Sequence, residues 1–198
     1  AVNDVVIGNL VDTKKLGKNP KSKYMPWIIA GGLILVVFNV MIFAPVTALL
    51  HALHDPQRMM RAVHVAGTNG KGSTSSMLAS ILKEAGYKVG MVGTLGAFIG
   101  EEQIETRNTT PESFELHAFF RRMVDEGCTH AVIEVSSQGI KLKRTAGLTF
   151  NFGAFLNLSP DHISPTEHET FEEYRDCKKI MFSQTEAVIA NADSEYCQ

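Results

Sequence analysis

Cysteine is scarce in this sequence: three residues in 198, Cys128, Cys177 and Cys197, widely spaced and odd in number. No CxxC pair or Cys/His cluster occurs, which argues against both a disulfide framework and a zinc site. Reduced thiols in a cytosolic compartment are the expectation. A surplus of positive charge is missing as well. Nineteen Lys/Arg stand against 21 Asp/Glu, a net charge of −2, so a basic nucleic-acid binder is excluded and no nucleic-acid partner is expected. There is no internal repeat and no low-complexity tract. With 44% hydrophobic residues the chain is too apolar for disorder. Its length suits one domain, or one domain plus an appendage, with a core of its own.

The charge is unevenly spread. Residues 1–60 hold six Lys/Arg and three acids, and the remainder holds thirteen and eighteen. Lys14, Lys15, Lys18, Lys21 and Lys23 form a basic, loop-like stretch, and from Tyr24 to Leu50 the chain runs 27 residues without a charge. About 20 apolar residues suffice to cross a bilayer, and Tyr24 and Trp27 resemble an interfacial anchor. Residues 1–55 are therefore expected to be a basic and hydrophobic N-terminal segment with a candidate membrane helix over 24–50. The alternative is a buried helix or strand pair, broken at Gly31-Gly32 and Pro45. Lysines ahead of the span would keep the N-terminus cytosolic and export the chain beyond the span. A nucleotide site downstream contradicts export. Either the segment does not span, or it re-enters, or it is foreign to the domain behind it.

From residue 56 the pattern is regular. Ala62–Ala66, Val89–Val92, Ala131–Val135, Phe152–Leu156 and Ala187–Ile189 read as strands. Ser73–Ala85 reads as a helix stopped by Gly86. A second helix starts near Pro111, carries Leu116, Phe119, Phe120, Met123 and Val124 on one face, and ends at Gly127. Phe171–Phe182 makes a third. Strands alternating with helices predict an α/β fold, a mainly parallel sheet with helices on both faces.

Between the first strand and the first helix lie Gly67, Thr68, Asn69, Gly70, Lys71, Gly72, Ser73 and Thr74. Strand, glycine-rich turn and helix make up the setting of a phosphate loop. Glycines let backbone N–H groups surround phosphate oxygens, the helix points its positive end at the anion, and Lys71 supplies a point charge for the β- and γ-phosphates. The spacing departs from GxxxxGK[ST]. Val65 stands where the first glycine would be, and Gly72 follows Lys71. The magnesium-binding hydroxyl would then be Ser73, with Thr74 as competitor.

The motif HVAGTNGKGST resembles the ATP loop of the Mur ligase and folylpolyglutamate synthase superfamily. The stretch from His64 to Gly90 is most similar to the folylpolyglutamate synthases. From Gly93 onward, GTLGAFIG, TRNTTPES, AVIEVSSQG, NLSPDHIS and EYRDCKKIMF resemble the Mur ligases that extend UDP-N-acetylmuramoyl dipeptide. The resemblance implies an ATP-dependent amide ligase of peptidoglycan precursor synthesis, an acid–amino-acid ligase working through an acyl phosphate with ATP and Mg2+. It implies UDP-N-acetylmuramoyl-L-alanyl-D-glutamate and an amino acid as partners, and a cytoplasmic location, with membrane association through 24–50 as the alternative. Residues 56–198 would be part of the central ATP-binding domain.

The resemblance also implies site roles. Lys71 and Lys178 are catalytic, Lys178 as a carbamate, with Lys179 as fallback. Ser73, Glu134, His162 and Lys178 are the metal set. Asn108, Thr109, Thr110, Ser136 and Arg144 bind the sugar-peptide substrate. Gln138 departs from the histidine often found after the paired serines. Family members continue beyond the stretch Ala190-Asn191-Ala192-Asp193 and begin with a UDP-binding domain that residues 1–55 do not resemble. A fragment or fusion that binds nucleotide without completing ligation alone is expected. The other readings are a folylpolyglutamate synthase-like ligase, and an inactive, membrane-associated nucleotide-binding fragment.

Overall fold

The computed structural model describes residues 52–194. The candidate membrane helix over 24–50 lies outside the described residues, and no described helix is long and apolar enough to cross a membrane. After a 3-10 turn at Pro56–Arg58 come β1 (Arg61–Ala66), α1 (Lys71–Glu84), β2 (Val89–Gly93), β3 (Gly96–Ile99) and β4 (Glu102–Ile104). Next in the chain are α2 (Ser113–Asp125), β5 (His130–Glu134), α3 (Ser137–Lys141), β6 (Phe150–Phe155), α4 (Phe171–Gln184) and β7 (Thr185–Ala190).

The described strands form one sheet in the order β4-β3-β2-β5-β1-β6-β7. Strands β2, β5, β1, β6 and β7 pair in parallel, while β3 and β4 are added antiparallel. The expected α/β architecture is present, and β1 is the middle of the five parallel strands, with apolar residues packed on both of its faces. Val63 and Val65 pack under α1 with Leu78, Leu82 and Val132. Ala62 turns the other way, into the cluster of Leu116, Phe120, Met123 and Ile133 under α2. Farther along that face, Ala66 and Phe155 meet Tyr174 and Met181 of α4. Burying a side chain of this size is worth about 1.5–3 kcal/mol.

Both predicted glycine stops act as such. Gly86 (φ 87°) and Gly127 (φ 76°) take the left-handed conformation. The amides at Gly86 and Tyr87 bond back to Lys83 and Leu82, and those at Gly127 and Cys128 to Val124 and Met123, the paired closure of a Schellman motif. The β3–β4 hairpin and the five-residue α3 were not expected. Strand β4 is three residues long with exposed Glu102 and Gln103, so it carries no hydrophobic period. On the α1 side, β6 and β7 are less covered. A cavity of about 500 Å³ lies between Met77 and Ile81 of α1 and Phe152 and Ile189 of those strands.

Candidate functional site: the carboxyl edge of the sheet

Parallel strands deliver their carboxyl ends to one edge, and the crevice there is the ordinary ligand position of an open α/β sheet. Three connections meet at this edge: the loop from β1 to α1, the turn from β5 to α3, and the loop leaving β6. Gly70 (φ 82°) caps the start of α1, so the amides of that first turn face the crevice.

The loop is held from β6. Asn157 Oδ1 accepts from the amides of Thr68 (3.0 Å) and Asn69 (2.9 Å), and Asn157 Nδ2 donates to the Asn69 carbonyl (3.1 Å). Thr68 points inward. Its hydroxyl lies 2.9 Å from Tyr174 Oη and accepts from the Ser159 amide at 3.0 Å. Thr68 therefore anchors the loop from below, and the side chains of Asn69 and Ser73 are the exposed ones.

Two lysines converge on one carbonyl. Lys71 Nζ donates to Gly67 O (2.9 Å) and Thr68 O (3.0 Å), and Lys178 Nζ donates to the same Gly67 O (2.9 Å). Lys178 is 2% exposed and its Nζ stands 4.7 Å from the centre of the Tyr174 ring. Burial, and then the charge of Lys71, bring its pKa down to about 7. Burial also lowers that of Lys71, against the opposing pull of Glu134 and Asp161. Lys179 turns outward and pairs with Asp176 at 3.7 Å.

Glu134 ends β5 almost fully buried. Its carboxylate accepts from the Thr94 amide (3.3 Å) and hydroxyl (3.1 Å). A Cβ on Gly93 would come 2.0 Å from Glu134 Oε1, so only glycine leaves room for the carboxylate. A Cβ on Gly72 would stand 3.6 Å from the same oxygen, which sets the carboxylate against the first turn of α1. Among the described residues no group of three or more His, Cys, Asp or Glu could hold a metal ion. One buried carboxylate beside a hydroxyl-bearing helix start still suits magnesium, which takes one or two carboxylates and draws its other oxygens from phosphates and water.

A cavity of about 280 Å³ gathers Lys71, Asn108, Thr109, Ser136, Arg144, His162 and Lys178. Arg107, Ser137, Gln138 and Glu167 complete its wall and were not singled out beforehand as binding residues. Thr110 is not in the wall. It is fully buried, accepts from the Ser136 amide (2.9 Å) and donates to Glu134 O (3.1 Å), so it fastens the turn after β5. Arg144 is committed internally, to Thr110 O at 3.2 Å and Glu112 Oε1 at 2.5 Å. His162 sits in the left-handed region (φ 58°) with Nδ1 3.0 Å from Glu167 Oε1. Such a conformation costs a non-glycine residue about 1 kcal/mol or more. A second cavity of about 380 Å³ adjoins the loop, lined by Asn69, Gly70, Thr74, Asn157 and Asn191 among others.

Asn157 and Arg107 are the functional candidates that sequence reasoning missed. For Asn157 one signal existed: it follows β6 by two residues, at the same edge as the loop. For Arg107 the signal was its place beside Asn108 and Thr109.

Residues 65–198 match the family described as Mur ligase middle domain. A UDP-N-acetylmuramoyl-L-alanyl-D-glutamate--2,6-diaminopimelate ligase of Clostridium tetani (strain Massachusetts / E88) is 42% identical over 142 residues, covering 72% of this chain and 29% of that protein. The chain thus spans under a third of the length of the curated relatives it matches first. A solved structure of a ligase with the same name superposes with a TM-score of 0.63 at 27% identity, over 70% of this chain and 28% of that one. The apo form of L. casei FPGS shares the fold, with a TM-score of 0.56 at 23% identity over 69% and 40% of the two chains.

Proposed function

Because the chain belongs to the Mur ligase family through its middle domain, we propose that it is the nucleotide-binding part of an ATP-dependent acid–amino-acid ligase of peptidoglycan precursor synthesis. Residues 56–198 make up that partial domain and residues 1–55 a separate N-terminal segment. The acceptor is UDP-N-acetylmuramoyl-L-alanyl-D-glutamate and the incoming amino acid is 2,6-diaminopimelate, as in the relatives' names. The setting is the cytoplasm, where ATP is supplied.

The reaction joins anions. An oxygen of the acceptor carboxylate attacks the γ-phosphorus, the bond to the β-phosphate oxygen breaks, and ADP leaves with that electron pair. The amine of the amino acid then attacks the acyl carbon, loses a proton and expels phosphate. Such chemistry needs preorganised positive charge rather than a protein nucleophile. Lys71 is the residue for the β- and γ-phosphate oxygens in this reading, its ammonium moving from the carbonyls of Gly67 and Thr68 onto the nucleotide. The N-terminal amides of α1 add their dipole. Ser73, Glu134, His162 and a carbamylated Lys178 would hold magnesium, which when bound supplies charge neutralisation across the phosphates. A carbamate forms only from an uncharged amine, and burial beside Lys71 supplies one at Lys178 near neutral pH. Asn108, Thr109 and Ser136, in the wall of the cavity with Lys71, are the groups for the acceptor.

The observation that carries this reading is the loop itself: Lys71 at the foot of α1, main-chain amides around it and Glu134 behind. Titration of the chain with an ATP analogue and magnesium tests it by calorimetry. Wild type binds, and Lys71→Ala binds roughly a hundredfold more weakly, as expected on removal of a buried charge partner. Equal binding by the two, or none by wild type, overturns the assignment.

A further inference from the structure

We infer that Arg107 receives an anionic group of the acceptor, as the cation at the cavity wall whose guanidinium no oxygen of the described chain already holds. Four lysine and arginine side chains line this cavity: Lys71, Lys178, Arg144 and Arg107. Three are occupied from within. Lys71 and Lys178 share Gly67 O, and Arg144 is bonded to Thr110 O and Glu112. Each already spends donors on the chain itself, which fixes where its head group points. Arg107 is exposed and, among the described residues, makes no hydrogen bond or ion pair. The carboxylate in the cavity wall, Glu167, is engaged by His162 Nδ1 at 3.0 Å. An incoming anion therefore meets Arg107 without breaking a bond of the described chain, while Glu167 is already engaged by His162.

The chemistry of the ligand follows from the side chain. A guanidinium offers parallel N–H donors that match two oxygens of a carboxylate or a phosphate, and it stays charged at every working pH. Asn108 and Thr109, the next two residues, line the same wall with an amide and a hydroxyl. Together they form a short polar ledge that ends in a charge. This inference rests on the acceptor assignment above and deepens it, since that acceptor carries carboxylates on its peptide and a diphosphate on its nucleotide. Lys71 serves the phosphates of the nucleotide, and Arg107 sets where the acceptor lies beyond its attacking carboxylate.

The test uses the whole chain, saturated with an ATP analogue and magnesium, titrated with three probes: UDP-N-acetylmuramoyl-L-alanyl-D-glutamate, UDP-N-acetylglucosamine and L-alanyl-D-glutamate. Arg107→Gln is expected to weaken the full acceptor about tenfold or more, the worth of a charge-assisted bidentate contact. Affinity for the ATP analogue stays within about twofold, because the phosphate loop keeps its own cation. Arg107→Lys restores only part of the loss, a point charge in place of a fork. A loss shared with L-alanyl-D-glutamate assigns Arg107 to a peptide carboxylate, and one shared with UDP-N-acetylglucosamine assigns it to the diphosphate. Acceptor binding by Arg107→Gln equal to wild type overturns the inference while leaving the ligase reading intact. An equal loss of acceptor and ATP analogue also overturns it, as a general distortion of the site. A wild-type chain that binds the ATP analogue and none of the three probes overturns both the inference and the acceptor assignment.

Discussion

Under α2 the packing against the sheet is mostly apolar: Leu116, Phe120 and Met123 are fully buried against Ala131 and Ile133. At the carboxyl ends of the same parallel strands the bonds are polar, cross between loops and in places oppose one another. Two ammonium groups share a carbonyl there, a carboxylate fills the space a missing Cβ leaves, and His162 holds a left-handed backbone. The first region lowers the free energy of the fold. The second gives up part of that gain to hold charges apart from water in an arrangement that a ligand would complete. The two should then fail independently when altered.

The largest effect expected is on stability. Phe120→Ala, at the centre of the α2 cluster, should cost about 3–5 kcal/mol in urea unfolding. The folded fraction should bind an ATP analogue as wild type does. A drop in affinity along with stability would break the separation.

Next comes His64, which belongs to both regions. It lies on central β1, packs on Phe150 with ring centres 4.9 Å apart, and has neither ring nitrogen bonded among the described residues. Burial, and then the nearby charge of Lys178, take its pKa from 6.5 to about 3. Between those values the unfolded chain binds the proton and the folded chain does not, so stability rises with pH from about 3 to 6.5 and levels off above. Within that window the slope is that of about one proton, roughly 1.4 kcal/mol per pH unit. His64→Leu should flatten this limb in unfolding curves taken at stepped pH. A limb unchanged in the variant would assign acid sensitivity to other groups.

The smallest effect sharpens the contrast most. Asn157→Asp keeps the shape and keeps an acceptor for the amides of Thr68 and Asn69. It loses one bond to the Asn69 carbonyl and puts a negative charge beside the phosphates. Melting temperature should stay within a few degrees, while affinity for the ATP analogue falls about tenfold. If melting temperature falls and affinity does not, Asn157 serves the fold alone.

Legibility in the sequence followed the same division. Strands β1, β2, β5, β6 and β7 and the three long helices announce themselves through apolar runs, helical spacing and glycine stops. The β3–β4 hairpin does not, because its second strand is too short and too polar to show a period. Within the site, the loop was legible as composition, since glycines and a lysine between strand and helix have few other uses. Lys178 and Lys179 were separable only by family likeness, although the buried face of α4 runs through Tyr174, Lys178 and Met181 at intervals of four and three. The jobs of Asn157 and Thr110 were hidden because they are made of contacts between distant parts of the chain, 88 residues apart for Asn157 and Asn69.

The oxygen of Gly67 is an acceptor with two claimants. Protons bound at Lys71 and at Lys178 cannot be counted one residue at a time. Removing either one relieves the other, so a titration followed at either side chain yields constants of the pair. An isotope label on one lysine would thus register events at its neighbour, and a single probe could follow nucleotide arrival from the far side of the loop.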